Sequence, residues 1–139
     1  RMRAAVARGI ELAEAAEAIL RRSPQTWEIV TPAQLGIVTF ALRDGDIENI
    51  YLLKVMNASE HASTYRVSVQ GLPGMTLVTP AALDVPATGI GSLTVRLALG
   101  AQAAQAYRGR AIPITFKVQS AETDREVAIE EKSTFVIPR

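Results

Sequence analysis

The sequence predicts an immunoglobulin-like antiparallel β-sandwich preceded by an N-terminal helix and a β-hairpin, a mainly β chain with some α. Three observations predict it. Beyond Pro24, apolar side chains recur with a period of two in short runs. From Ile47 onward about seven such runs follow one another, with turn signals roughly every 8–12 residues. Before Pro24 the apolar residues instead recur at spacings of three and four. The 139 residues suit one domain with an added element. Residues 1–42 are read as helix plus hairpin and 43–139 as the sandwich.

The helix is expected over residues 1–22. Met2, Val6, Ile10, Ala13, Ala16 and Leu20 form the stripe, flanked by Leu12 and Ile19, in an alanine-rich stretch of high helix propensity. Glu17 precedes Arg21 by one helical turn, and Arg21 and Arg22 sit where the helix dipole favours cations. Ser23-Pro24 ends the helix because a residue before proline avoids the α region. The stripe is expected to pack on the hairpin formed by Trp27-Glu28-Ile29-Val30 and Ile37-Val38-Thr39-Phe40. Two strands and one helix cannot cover Trp27, Ile29, Ile37 and Phe40, so the hairpin should extend a sheet of the sandwich or pair with another copy.

The sandwich strands follow in order. Arg43-Asp44-Gly45-Asp46 is a turn, and Tyr51, Leu53 and Val55 alternate with Leu52, Lys54 and Met56. After the polar loop 57–63, Tyr65, Val67 and Val69 alternate with Arg66, Ser68 and Gln70. Gly71-Leu72-Pro73-Gly74 turns the chain into two short strands, 75–79 and 82–85, separated by Pro80. Leu93 to Leu99 and Ile112 to Val118 alternate cleanly. The alanine-rich stretch 101–106 between them reads as a loop or one helical turn. Val127 and Ile129, then Phe135 and Ile137, close the chain. With no Cys, and without the Trp of antibody domains, the sandwich is a disulfide-free Ig-like module.

Composition narrows the function classes. Fifteen Lys+Arg against 14 Asp+Glu argue against nucleic-acid binding. No apolar run approaches the roughly 18 residues needed to span a bilayer. The absence of Cys excludes thiolate metal sites and Cys nucleophiles.

The candidate chemical residues each have an ordinary explanation. His61, the only histidine, stands beside Glu60 in a polar loop; Met56 and Met75 could add soft ligands, but their spacing fits strands. Ser59, His61 and Ser63 are too close in sequence to form a triad, and no nucleophile elbow is present. Gly71-Leu72-Pro73-Gly74 and Gly89-Ile90-Gly91 precede strands, so they are turns rather than phosphate loops. Glu126, Glu130 and Glu131 read as a solvated acidic face, and the sequon Asn57-Ala58-Ser59 as chance. Arginine outnumbers lysine twelve to three; Arg66 and Arg96 on outward strand faces, with Arg108 and Arg110 flanking a turn, could bind an anionic partner. No catalytic, cofactor-binding or metal residue is assigned, and neither an enzymatic activity nor a cofactor is expected.

Two resemblances cover different parts of the chain. Asp44-Gly45-Asp46-Ile47-Glu48-Asn49-Ile50-Tyr51-Leu52-Leu53-Lys54-Val55-Met56-Asn57, Tyr65-Arg66-Val67-Ser68-Val69-Gln70-Gly71-Leu72 and Glu131-Lys132-Ser133-Thr134-Phe135-Val136-Ile137-Pro138 resemble the C-terminal Ig-like domain of the FixG/CcoG family of membrane-bound iron–sulfur proteins. That resemblance implies an accessory module on the periplasmic side of the bacterial inner membrane, in proteins connected with cytochrome oxidase assembly and copper handling. Arg8-Gly9-Ile10-Glu11-Leu12-Ala13-Glu14, with Trp27-Glu28-Ile29-Val30-Thr31-Pro32-Ala33-Gln34-Leu35-Gly36-Ile37-Val38-Thr39-Phe40, is similar to the C-terminal small domain of pyridoxal-phosphate amino-acid decarboxylases. There the element is a helix followed by two strands, in a cytoplasmic enzyme. Two sources meeting near Ala41 imply a chimera, natural or engineered. Both resemblances are to non-catalytic portions: the decarboxylase Schiff-base motif is missing, and the only lysines are Lys54, Lys117 and Lys132. The expected function is a structural or interaction module. It takes a protein partner or a second copy, with no nucleic acid or small-molecule substrate, and meets a membrane only through a parent segment. The alternatives are a decarboxylase fragment or a copper-binding accessory domain.

Overall fold

A computed structural model describes residues 2–22, 26–29, 36–42, 44–78, 82–120 and 128–139. The helix stop at Ser23-Pro24, the loop at 31–35, Pro80, Glu126 and Val127 lie outside the described residues, as do the side chains of Met2, Trp27 and Ile29. In chain order the elements are β1 (Met2–Val6), α1 (Ile10–Arg22), β2 (Thr26–Ile29), β3 (Val38–Leu42), β4 (Ile47–Asn57), β5 (Ser63–Gln70), β6 (Thr76–Leu77), β7 (Ala82–Val85), β8 (Ile90–Leu99), α2 (Ala101–Ala106), β9 (Ala111–Ser120) and β10 (Ala128–Val136). One sheet runs β2-β3-β4-β8-β6, with β1 also on β4; the other runs β10-β9-β5-β7, and every pairing is antiparallel. The β3-β4-β8-β6 and β10-β9-β5 sets reproduce the two-sheet division of an immunoglobulin sandwich.

The N-terminal segment departs from the sequence expectation. Residues 2–6 form a strand paired with β4, and the helix begins only at Ile10, after Gly9 at φ 72°. The apolar stripe counted from Met2 therefore runs across two elements. The helix buries Leu12 and Ala16, with Ala15, Ile19 and Leu20 partly buried beside them, whereas Ile10 is 77% exposed. This face packs on Val38, Phe40, Ile50 and Leu52, the outward residues of β3 and β4. The hairpin does extend a sheet, as one of the two expected outcomes: β2 pairs with β3, and β3 with β4.

β1 and β3 share one edge of β4. β8 occupies the other edge along residues 47–56, while β3 pairs with the first half of β4 (Val38↔Ile50 to Ala41↔Ile47) and β1 with the second (Val6↔Leu53 to Met2↔Asn57). The two are thus halves of one edge strand, with α1 and β2 as an excursion between them. The ends of the excursion close up: a Cβ on Gly36, at φ 81°, would stand 3.5 Å from Arg8 Cγ and 3.6 Å from a Val6 methyl. The Ala7 amide continues the ladder by donating to the Leu52 carbonyl at 2.7 Å.

The excursion explains the composition of β4. An antiparallel strand with one solvated face should alternate apolar and polar. β4 is instead buried almost throughout, because its inward residues Ile47, Tyr51, Leu53 and Val55 meet the second sheet while Ile50 and Leu52 lie under α1. Between the sheets, Tyr51 meets Phe116 edge-on with ring centroids 5.0 Å apart, amid Leu97, Leu99, Ile114, Val118 and Phe135. The 101–106 stretch is a helix, α2, whose first amide at Ala101 donates to the Asp46 carboxylate at 2.9 Å.

Candidate functional site

The polar groups inside the sandwich form a seam between the sheets. Asn49 points inward from β4 and is fully buried. Its Nδ2 donates to the Val136 carbonyl at 2.9 Å and its Oδ1 accepts from the Val136 amide at 2.8 Å. The amide side chain thus takes the place of a neighbouring strand's backbone along the edge of β10. Two residues on, the Tyr51 hydroxyl donates to the Thr134 carbonyl at 2.7 Å. Burial pushes the Tyr51 phenol well above the ordinary tyrosine range, since a phenolate there would lose its hydration. Thr39 adds a longer contact, its hydroxyl donating to Asn49 Oδ1 at 3.5 Å. On the opposite face of β4, Glu48 Oε1 accepts from Arg96 Nε at 2.9 Å and lies 2.7 Å from its terminal nitrogen, two guanidinium nitrogens on one carboxylate oxygen between β4 and β8.

A second polar centre ties the loops at one end. Asn57 is buried at the end of β4, and its Nδ2 lies within donating distance of the carbonyls of His61 (2.8 Å), Val85 and Pro86 (both 3.3 Å). Its Oδ1 accepts from the Ser59 amide. A glycan on this asparagine would have to displace those contacts, so the sequon is structural. Ser59 Oγ donates to the His61 carbonyl at 2.8 Å and faces the His61 amide at 3.3 Å. The structure brings Ser59 and His61 together through the backbone of His61, and His61 itself is exposed.

The remaining residues singled out in the sequence are dispersed. Met56 is exposed on the outer face of the first sheet, whereas Met75 packs at the margin of the inter-sheet core. Glu130 and Lys132 are exposed along β10, with Glu131 half-buried between them. Among the described residues no group of three or more His, Asp or Glu side chains is placed to hold a metal ion. The glycine pairs serve packing. A Cβ on Gly71, at φ 133°, would stand 2.5 Å from the Pro113 carbonyl oxygen, and one on Gly91 would stand 2.8 Å from a Val85 methyl. Of the arginines, Arg96 is taken by Glu48 and Arg66 is exposed on β5, while Arg108 and Arg110 lie in the turn between α2 and β9. Sequence reasoning missed Asn49, Glu48 and the structural role of Asn57. For the two asparagines the available signal was a polar residue at an inward position of an otherwise apolar strand.

Over 38 residues, 27% of this chain, the sequence is 60% identical to an aromatic-L-amino-acid decarboxylase from Bacillus atrophaeus, and the match spans 8% of that enzyme. The FixG-related protein from Vibrio parahaemolyticus has the same fold, with a TM-score of 0.51 and 17% identity over 96% of this chain and 94% of that one. A protein from Archaeoglobus fulgidus gives a TM-score of 0.43 and 14% identity over 79% and 95% of the two chains. Residues 33–138, which hold β3 to β10 and the whole polar seam, match the family described as the Ig-like fold at the C-terminal of FixG. The chain belongs to that family.

Proposed function

We propose that the chain is a non-catalytic structural and interaction module, an Ig-like accessory domain of FixG type that works by holding a rigid surface against a protein partner. The observation that carries this reading is the use of its buried polar side chains. Asn49, Tyr51 and Asn57 direct their hydrogen bonds to backbone groups of neighbouring strands and loops, which rigidifies the sandwich. Family membership supports the accessory role, and a position on the periplasmic side of the bacterial inner membrane is part of the same proposal. Calorimetric titration of the purified chain with Cu(I) and with Cu(II) tests the catalytic and metal-carrying alternatives. An absorbance scan with pyridoxal phosphate completes the test. Neither is expected to give saturable binding, and a stoichiometric copper site or a Schiff-base band would overturn the proposal.

The decarboxylase match favours a second reading of the N-terminal part, in which residues 1–42 come from a decarboxylase small domain joined to the sandwich. The excursion of α1 and β2 out of the split edge strand is compatible with such a join. The parent coding sequence tests it: a continuous genomic reading frame through Ala41, found with the same N-terminal part in sister genomes, would end the two-source account.

A further inference from the structure

The fold gathers three arginines that the sequence keeps apart. Between α2 and β9 the chain turns through Tyr107, Arg108, Gly109 and Arg110, and the C-terminal residues cross this turn. The Gly109 amide lies 3.0 Å from the Ile137 carbonyl and 3.3 Å from that of Pro138, while the Ile137 amide donates to the Arg110 carbonyl at 2.9 Å. Arg139 lies over the turn: a Cβ on Gly109, at φ 75°, would stand 3.1 Å from its Cγ. Arg110 sits over the Tyr107 ring, with its guanidinium carbon 5.9 Å from the centroid. Arg108, Arg110 and Arg139 are all exposed, and none forms an ion pair with a described carboxylate.

The surroundings concentrate this charge. No acidic residue occurs between Leu97 and Ser120, although the whole chain carries a net charge of only +1. Asp44 and Asp46 belong to the turn against the other end of α2, and each carboxylate accepts from a backbone amide. Six helical residues separate them from the arginine turn, roughly 9 Å at the rise of an α-helix and about one Debye length at physiological salt.

We infer that this arginine knot, formed by the turn at 107–110 and Arg139, is the docking surface for a carboxylate-rich segment of a partner protein. Guanidinium forks match carboxylates bidentately, which single-point ammonium groups do not. An anionic bilayer fits less well, because surface-anchoring clusters carry about 4–8 cations close together. The inference rests on the interaction-module reading and names the partner's chemistry.

Fluorescence anisotropy with a fluorescein-labelled hexaglutamate peptide tests it, with hexaglutamine as the neutral probe and phosphatidylglycerol vesicles as the lipid arm. Hexaglutamate is expected to bind saturably, and hexaglutamine not at all. The triple variant R108Q/R110Q/R139Q should weaken hexaglutamate binding about tenfold or more while keeping the native melting temperature. The equal-charge variant R21Q/R22Q/R66Q should stay within about twofold of the native chain. Equal losses in the two variants would reduce the effect to bulk charge and overturn the proposal. Tighter arginine-dependent binding to the vesicles would overturn it in favour of lipid. Absence of hexaglutamate binding would overturn it too, yet would leave the module reading standing unless the copper or pyridoxal-phosphate titration also fails that reading.

Discussion

Replacing Asn49 by alanine removes two hydrogen bonds at once and leaves the Val136 amide and carbonyl without their partner. A net hydrogen bond is worth about 1 kcal/mol, and a buried group left unpaired costs about 1–3 kcal/mol. Val136 is only half-buried, so water can rehydrate part of its backbone and the lower half of that range applies. The expected loss is about 3 kcal/mol. For a domain of this length each kcal/mol shifts the melting temperature by roughly 3 °C, so Asn49→Ala should melt about 9 °C below the native chain. Urea unfolding followed by circular dichroism should show a lower midpoint with an unchanged slope, since the surface exposed on unfolding is the same. A loss below about 1 kcal/mol would mean that apolar packing alone docks β10 on the first sheet, and the stapling role of Asn49 would be wrong.

Four other substitutions and one truncation probe the same reasoning. Tyr51→Phe should cost about 1–2 kcal/mol at neutral pH through loss of the bond to Thr134. Because the folded phenol titrates above the unfolded one, native stability is complete below about pH 10. Above that pH it falls by about 1.4 kcal/mol per pH unit until the folded phenol ionises; Tyr51→Phe should lack that part of the alkaline loss in a pH series of urea midpoints. Ile10→Asp should leave the melting temperature nearly unchanged, because Ile10 is exposed, while Leu12→Asp buries an unpaired charge and should cost about 3 kcal/mol or more; the reverse order in thermal melts would refute the helix orientation. Gly71→Ala should cost more than about 1 kcal/mol of stability, read as a lower urea midpoint, because its Cβ meets the Pro113 carbonyl; an unchanged midpoint would show that the turn yields freely. A fragment of residues 43–139 loses β3 and β1 from the edge of β4 and Ile37 from the core, and it uncovers Ile50 and Leu52. It should aggregate on size-exclusion chromatography, whereas a monomeric, folded fragment would establish 43–139 as the autonomous unit.

The sandwich itself was legible because its strands obey a local rule. Alternation in Tyr65 to Val69, Leu93 to Leu99 and Ile112 to Val118 reports which side chains face the other sheet, and that information sits within each run. The turns were legible for the same reason, since the conformations at Gly45, Gly71 and Gly109 are local requirements of backbone geometry. The hairpin's attachment to a sheet was one of the two outcomes its apolar residues allowed, pairing with a second copy being the other.

What the tertiary structure decided lies where two distant segments compete for one neighbour. Residues 2–6 read as helix because Met2 and Val6 fit the phase of an alanine-rich stretch, yet a vacant edge on β4 offers them backbone partners, and pairing outweighs a weak propensity. That choice moved the helix start to Ile10 and centred its buried face on Leu12 and the expected Ala16, leaving Ile10 and Ala13 exposed. The partner of Asn49 is a backbone group 87 residues away, and the arginine knot joins Arg108 and Arg110 to the far end of the chain. No pattern of spacing encodes such contacts. They exist because two sheets, once packed, place particular edges and turns within hydrogen-bonding reach.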